Sequence, residues 1–401
     1  MKLRSKETYW LLKNGLINCF PSLTENISCD ILIIGGGITG SLMAYQLSKE
    51  GYDTVAIDKR DIGMGSTAAT TAMLQYEIDE PLHSLINKVG ETAAIESYKQ
   101  GVIAIEELAC IIKELKIECG FERKNSLYFA VTNSELKWLK EEFSVRQKYG
   151  LKVTWLSEQT LKAEYHVLGR GGILSENGAT VDAYKLTHDL LSSSQKKYGL
   201  RIYDHTSADK TVYKKQRHNV YTDGKCVIQC QHIVYASGYE TESMFKEKIV
   251  DLNSTYALIS EPLTTLPAMF NKTIFWNTED PYLYLRSTPD NRIIVGGGDV
   301  AFKNTIRRDR LIEKKEDFLL KKVHDYFPDL SIISDFSWAG TFGVTKDALP
   351  YIGSHPNYPG AYFVLGFGGN GITFSIIGMK IISDALAGRA NRFLEYFKFN
   401  R

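Results

Sequence analysis

The chain has 401 residues, of which 44% are hydrophobic and 24% charged, and its formal net charge is +1. That length exceeds one small core and predicts two domains or one split architecture. The near-neutral balance gives no electrostatic case for nucleic acid or an anionic membrane as the main partner, and no apolar run approaches the roughly 18 residues that span a bilayer.

The opening stretch MKLRSKETYWLLKNGLINCF starts basic and turns apolar, as a signal peptide does. Lys13 interrupts the apolar part and no small-residue cleavage site follows, so residues 1–27 are expected to form an arm packed on the domain. Next, Asp-Ile-Leu-Ile-Ile at 30–34 reads as a buried strand. Leu42, Ala44, Tyr45 and Leu47 then recur at helical spacing, Gly51 stops the helix, and Thr-Val-Ala-Ile-Asp at 54–58 is a second strand. Between strand and helix, Gly35, Gly37 and Gly40 make G-x-G-x-x-G. The first glycine permits a tight turn, the second lets backbone approach a pyrophosphate, and the third lets helix pack close to strand. The free N–H groups of the helix start, at Ile38 and Thr39, would meet that pyrophosphate. Asp58, followed by Lys59, ends the second strand where an acid accepts hydrogen bonds from the adenosine ribose.

The loop alone does not separate NAD from FAD, and three later stretches bear on the choice. GMGSTAATTAML (63–74), with Ser66 and Thr67, offers small hydroxyl residues that allow close approach to phosphate and flavin. A helix over 91–118 and a charged amphipathic helix over 134–149 follow. From about residue 120 strand-like runs dominate, including SLYFAV, GGILS, STYALIS and YLYLR, and they predict a mostly antiparallel second layer. Within them IVYASGYE ends a strand in Ala236-Ser237-Gly238, small enough for the chain to pass a bound nucleotide. RIIVGGGDVAF, at Gly296 to Ala301, imitates the first glycine loop but lacks a following amphipathic helix, so a strand edge or bulge is the better account. The last stretch, 362–386, is a strand, a glycine-rich turn and a helix ending near Gly388. Its turn, Gly366, Gly368, Gly369, Asn370, Gly371, Ile372 and Thr373, aims N–H groups and a helix start at an anion. A flavin accumulates such charge at its N1/C2=O edge on reduction. The six cysteines form no CxxC pair and no metal spacing, so structural thiols in a reducing cytoplasm, with no metal, are expected.

These motifs, with WAGTFGVTKDALPYIG near the end, resemble the FAD-dependent amine and amino-acid oxidases that include glycine oxidase, sarcosine oxidase and D-amino acid oxidase. The likeness runs over about residues 8–390. The leading YW…PSL and WNTEDPYLYLRSTPDNRIIVGGGD look closest to the gamma-glutamylputrescine oxidase-like branch. The resemblance implies an α/β plus antiparallel-β fold. Residues 28–90, 168–245 and 336–392 would form a discontinuous Rossmann-like FAD domain, and 91–167 and 246–335 an antiparallel-sheet substrate domain. Two departures stand out. Aligning Trp338, Thr345 and Asp347 with the family's W-x-G-x-R-P-x-T-x-D puts Phe342 where an arginine is common. Gly340 occupies the position of a flavin-attaching cysteine, and no histidine replaces it in GSTAATT, so noncovalent FAD is expected.

Strand alternation puts Tyr282, Tyr284 and Arg286 on one face, an aromatic slot with a carboxylate clamp. An arginine on a similar strand holds the substrate carboxylate in the glycine oxidase-like enzymes, and Arg286 is its counterpart by resemblance; a structural ion pair is the alternative. Tyr256 is a further wall residue, with sheet packing as its alternative, and Trp276 is read as packing. Glu77 or Asp79 would hold a cationic amine, unless QYEIDEPL is a solvent-exposed acidic loop. Lys346 is either near the flavin or a turn lysine. The resulting expectation is oxidation of the C–N bond of a small amine or amino acid, with O2 or another acceptor taking the electrons. Oxidation of a 2-hydroxy acid or polyol phosphate, or a nonredox nucleotide-binding subunit, are the alternatives.

Overall fold

The protein is seen in a computed structural model that describes residues 2–5 and 7–401. Among the described residues the strands form an eight-stranded and a nine-stranded sheet. The eight-stranded sheet grows around Ile27–Ile34, which pairs in parallel with Thr54–Ile57 on one side and Val227–Tyr235 on the other. Ile31, Leu32 and Ile33 are fully buried, as is all of Thr54–Ile57. Continuous rather than alternating apolar runs are what strands covered on both faces require. Arg201–Tyr203 extends the sheet beyond Thr54–Ile57, and Tyr358–Leu365 extends it beyond Val227–Tyr235. Helices Ile38–Lys49, Ala183–Tyr198 and Gly371–Leu386 pack together over this layer.

The nine-stranded sheet runs in the order Ser334–Val344, Asp251–Ser260, Ile293–Ala301, Leu283–Ser287, Thr273–Asn277, Glu122–Ala130, Gly171–Thr180 and Met73–Leu74, with Val153–Ser157 added beside Gly171–Thr180. All neighbours are antiparallel except Thr273–Asn277 and Glu122–Ala130. One face carries Leu127, Phe129, Phe275, Leu285 and Val295 into a core completed by Leu319 and Val323 of helix Ile312–Tyr326. Alternation turns Tyr128, Trp276 and Tyr284 to the opposite face, and register sets them side by side: Trp276 pairs with both Tyr128 and Tyr284.

The expected helices are present as Glu91–Leu115, Asn133–Lys148 and Gly371–Leu386, the second begun by a capping box between Thr132 and Glu135. The sheets interleave in sequence: residues 27–57, 201–235 and 351–365 serve the first, and 73–180 and 251–344 the second. Gly171–Thr180 and Ser334–Val344 therefore pair in the nine-stranded sheet, although motif positions grouped them with the nucleotide segments. Pairing follows apolar register, which the motifs do not report. The amino-terminal segment packs on the body through Trp10, 1% exposed, whose Nε1 donates to the Thr70 carbonyl at 2.6 Å. All six cysteines are free, and among the described residues no helix is long and apolar enough to cross a membrane.

Candidate active site

The carboxyl ends of Ile27–Ile34, Thr54–Ile57 and Val227–Tyr235 open on a groove of about 750 Å³, within the size range of cofactor sites. The first glycine loop forms its near wall. A Cβ on Gly35 (φ +116°) would lie 2.5 Å from the Ala236 carbonyl oxygen, and one on Gly40 would overlap the Gly35 carbonyl. Gly35 is thus required by the neighbouring strand and Gly40 by its own loop. Gly35, Gly37, Ile38 and Thr39 line the groove, while Gly40 stands behind it. The Ile38 N–H donates to Thr67 Oγ1 at 2.9 Å, which ties segment 66–72 to the helix start.

Asp58 is built into the same wall. Its carboxylate accepts the Gly36 N–H at 2.7 Å and the Arg60 N–H at 2.9 Å. Burial lifts its carboxyl above the ordinary range, against the pull of those two amides. Lys59 lines the groove and pairs with Glu240 at 2.9 Å, as does Arg60. Burial pushes Glu240 up, but the hydrogen bonds from Arg60 and Lys59 outweigh it and hold the carboxyl at about 2. Ser66, Thr67, Ala236, Ser237, Gly238 and Gly340 also face the groove, as does Phe342 at the position where an arginine was expected.

The last glycine turn closes the far end. Gly368, Gly369, Gly371 and Ile372 line the groove, whereas Gly366 and Thr373 support it from behind. The Gly369 N–H donates to Asp79 Oδ2 at 2.6 Å, Asn370 Nδ2 to the Glu77 carbonyl at 2.8 Å, and Thr373 Oγ1 to the Gln75 carbonyl at 3.0 Å. The turn is therefore stitched to residues 75–79, which lie far away in sequence.

A second chamber of about 410 Å³ adjoins the groove, sharing Thr70, Thr71, Met73, Tyr282, Tyr284 and Gly369 with it. The row Tyr128, Trp276 and Tyr284 lines it, with Tyr128 and Trp276 stacked at 3.6 Å between centroids and Trp276 Nε1 donating to Ser126 Oγ at 3.0 Å. Gly296 makes room for this row, because a Cβ there would overlap the Tyr284 ring. Glu77, Asp79, Glu279, Asp280 and Asn370 also line the chamber.

The acidic loop is solvated only in part: Asp79 is exposed, whereas Glu77 is buried. Glu77 is 3% exposed and lies 3.6 Å from Arg146, a fully buried guanidinium whose Nε donates to Glu142 at 2.6 Å. Glu142 also accepts the Leu82 and His83 N–H groups and pairs with His83 Nδ1 at 2.8 Å. Burial pushes Glu142 up, yet Arg146 and His83 hold it at about 2. Burial lifts the carboxyl of Glu77. Glu279 is committed to Lys322, Tyr326 and Asn277.

Two expected substrate residues are not brought to this chamber. Arg286 donates to the carbonyls of Ala72 (2.9 Å) and Val181 (3.2 Å) and lies over the Trp10 ring, and burial lowers it to about 10. Alternation fixes its face of the strand correctly, but the arm and its neighbours cover that end. Tyr256, 1% exposed, packs in the core on the opposite face. Tyr282 and Tyr284 are brought to the chamber, and Lys346 lies exposed in a turn. Sequence reasoning missed Tyr128, Trp138, Asp280 and the cavity role of Trp276. The alternation in SLYFAV carried a signal for Tyr128, but strand register with Trp276 has no local signature.

Residues 30–385 match the FAD dependent oxidoreductase family profile. The chain belongs to this family. It is 25% identical over 389 residues to gamma-glutamylputrescine oxidoreductase of Escherichia coli, covering 93% of this chain and 87% of that one. It is also 25% identical over 401 residues to a Bacillus subtilis protein described as a putative Rieske 2Fe-2S iron-sulfur protein, covering 98% and 75%. The glycine oxidase structure from Geobacillus kaustophilus shares the fold, with a TM-score of 0.78 at 21% identity over 93% of this chain and 99% of that one. The oxidoreductase uses FAD, and its groove fits a dinucleotide. Glycine backbone at 35, 37, 238, 340, 368 and 369 faces one continuous space, with an acid at the second strand's end and a helix start between them.

Proposed function

We propose that the oxidoreductase oxidises the C–N bond of a small amine or amino acid, using noncovalently held FAD. The observation that carries this reading is the side-chain-lined chamber opening on the groove beside the last glycine turn, at Thr71, Tyr282, Tyr284 and Gly369. On this reading Asp58 and Lys59 flank the adenosine ribose, and the amides of Gly35 to Thr39 meet the pyrophosphate. Ser66, Thr67 and Ala236 to Gly238 border the cofactor, Gly340 and residues 366–373 surround the ring end, and Tyr282 and Tyr284 meet the substrate. Segment 65–71 and Gly340 contain neither cysteine nor histidine, which supports noncovalent attachment.

The chemistry that bound FAD would supply is acceptance of a hydride from the carbon that carries nitrogen. The chain's own groups hold and orient the amine against the aromatic row and exclude water from the junction of chamber and groove. The nitrogen lone pair assists hydride departure, so the amine reacts in its neutral form without a base for a hydroxyl proton. The imine product hydrolyses in water, and O2 or another acceptor removes the two electrons.

The test is the visible spectrum of the purified protein under anaerobic addition of amines, amino acids and hydroxy acids. Bleaching of the flavin band by an amine or amino acid is expected. Bleaching by hydroxy acids alone would transfer the protein to C–O oxidation.

A further inference from the structure

We propose that the amino-terminal arm is a working part of the cofactor site, in which residues 2–5 form a clasp that retains FAD in the groove. This goes beyond the C–N reading and does not depend on it, because it concerns only the groove and the family's cofactor.

The first ground is that the arm reaches the groove itself. Leu3 is 6% exposed and lines the groove. It also packs against the glycine loop's neighbour: a Cβ on Gly65, which lines the same space, would lie 3.7 Å from Leu3 Cδ1. An isobutyl group in that position gives a bound dinucleotide apolar surface to pack on.

The second ground is that the arm grips two segments that wall the groove. One is 65–71. Arg4 Nε donates to the Met64 carbonyl at 2.9 Å and Trp10 Nε1 to the Thr70 carbonyl at 2.6 Å, so an arm residue holds this segment at each end. The other is Ser334–Val344, the edge of the nine-stranded sheet, whose Gly340, Thr341 and Phe342 line the groove. An edge strand leaves N–H and C=O groups unused, and the arm takes them here. The Ser5 N–H donates to the Ala339 carbonyl at 2.9 Å, the Ala339 N–H donates to Ser5 Oγ at 3.1 Å, and Arg4 pairs antiparallel with Gly340. Arg308, 1% exposed, fastens this piece from behind, donating to the Lys2 carbonyl and to Thr341 Oγ1, each at 3.0 Å. The two walls therefore part only when these bonds break. Third, burial lowers the Arg4 guanidinium, and the positive charges of Arg60 and Arg308 add to that effect. Arg60 lines the groove. A dinucleotide brings negative charge to this cluster and relieves the repulsion, so the arm and its load hold each other.

The test uses the FAD-loaded full chain. Release of FAD is followed as recovery of flavin fluorescence after dilution into flavin-free buffer, and the melting temperature is taken without FAD and at one fixed FAD concentration. Leu3→Ala keeps every backbone bond of the arm and should release FAD about tenfold faster, since lost contacts act mainly on dissociation. Removal of residues 2–5 should accelerate release further. The rise in melting temperature that FAD produces should shrink in both variants. Leu16→Ala, at a 62% exposed position of the same arm, should leave both readouts at wild-type values. Release within about twofold of wild type from Leu3→Ala and from the shortened chain overturns the inference. So does an equal fall in melting temperature with and without FAD, which an arm of purely structural use would give. If the shortened chain does not fold, Leu3→Ala alone decides.

Discussion

The groove and the chamber meet at six residues but are built by opposite means. The groove is walled by main chain, with glycines where other residues carry side chains and amides at a helix start. Its acid, Asp58, spends both oxygens partly on holding the loop. The chamber is walled by side chains from segments far apart in sequence: a row of rings, together with acids of which Glu77 is backed by a buried arginine. Main-chain recognition leaves no room for an added atom and hardly depends on which polar residues surround it. Side-chain recognition tolerates exchange, and exchange there changes what is bound. On the proposed reading, cofactor identity resides in the first region and substrate identity in the second.

The sharpest way to break this contrast is Gly40→Val, because even a Cβ would overlap the Gly35 carbonyl. A loss of roughly 3–5 kcal/mol is expected, at the upper end for one substitution, together with loss of bound flavin. Thermal unfolding and the flavin-to-chain ratio measure it, and full flavin content would refute a main-chain-built groove. On the chamber side, Arg146→Met removes a buried countercharge from both Glu77 and Glu142, and should cost about 3–5 kcal/mol in denaturant unfolding. Wild-type stability would show that the chamber's acids do not depend on this pair.

The same cluster predicts a pH dependence. Glu142 is held at about 2 in the fold against about 4.3 in an unfolded chain, so its contribution is present above the unfolded value. That contribution, on the order of 3 kcal/mol, is lost as pH falls from about 5 towards 2. Glu142→Gln should flatten this acid limb in urea midpoints measured across that window. An unchanged limb would place the acid sensitivity elsewhere. Smallest is Arg286→Met, which removes the guanidinium donor from the Ala72 and Val181 carbonyls, the first of which keeps the Val181 N–H. Roughly 1–3 kcal/mol of stability should go while the substrate KM stays the same. A sharp rise in KM without a stability change would restore Arg286 as a substrate clamp.

What could be read from the amino acids divides along the same line. Gly35, Gly37, Gly40 and Asp58 were legible because a backbone turn imposes fixed spacing on adjacent residues. The turn at 366–373 was legible for the same reason. The chamber was only partly so. Tyr282 and Tyr284 followed from alternation, but whether Arg286 joins them depended on what covers the strand end, and Trp10, Ala72 and Val181 arrive there from elsewhere in the chain. Glu77 sits in a polar stretch that reads as solvated. Its burial depends on Arg146, contributed by a distant helix. Sequence spacing does not report contacts of that kind.

The interleaving of the two sheets has a consequence for the handling of this molecule. Because the chain passes repeatedly from one layer to the other, neither layer corresponds to a continuous stretch of gene, and no single cut separates a cofactor-binding fragment from a substrate-binding one. Contacts between distant segments such as Asp79 and Gly369 must close before either cavity exists, which is the high-contact-order regime of slow folding. Flavin added during refolding should therefore raise the apparent stability of both layers together, so that one melting transition reports on the whole protein.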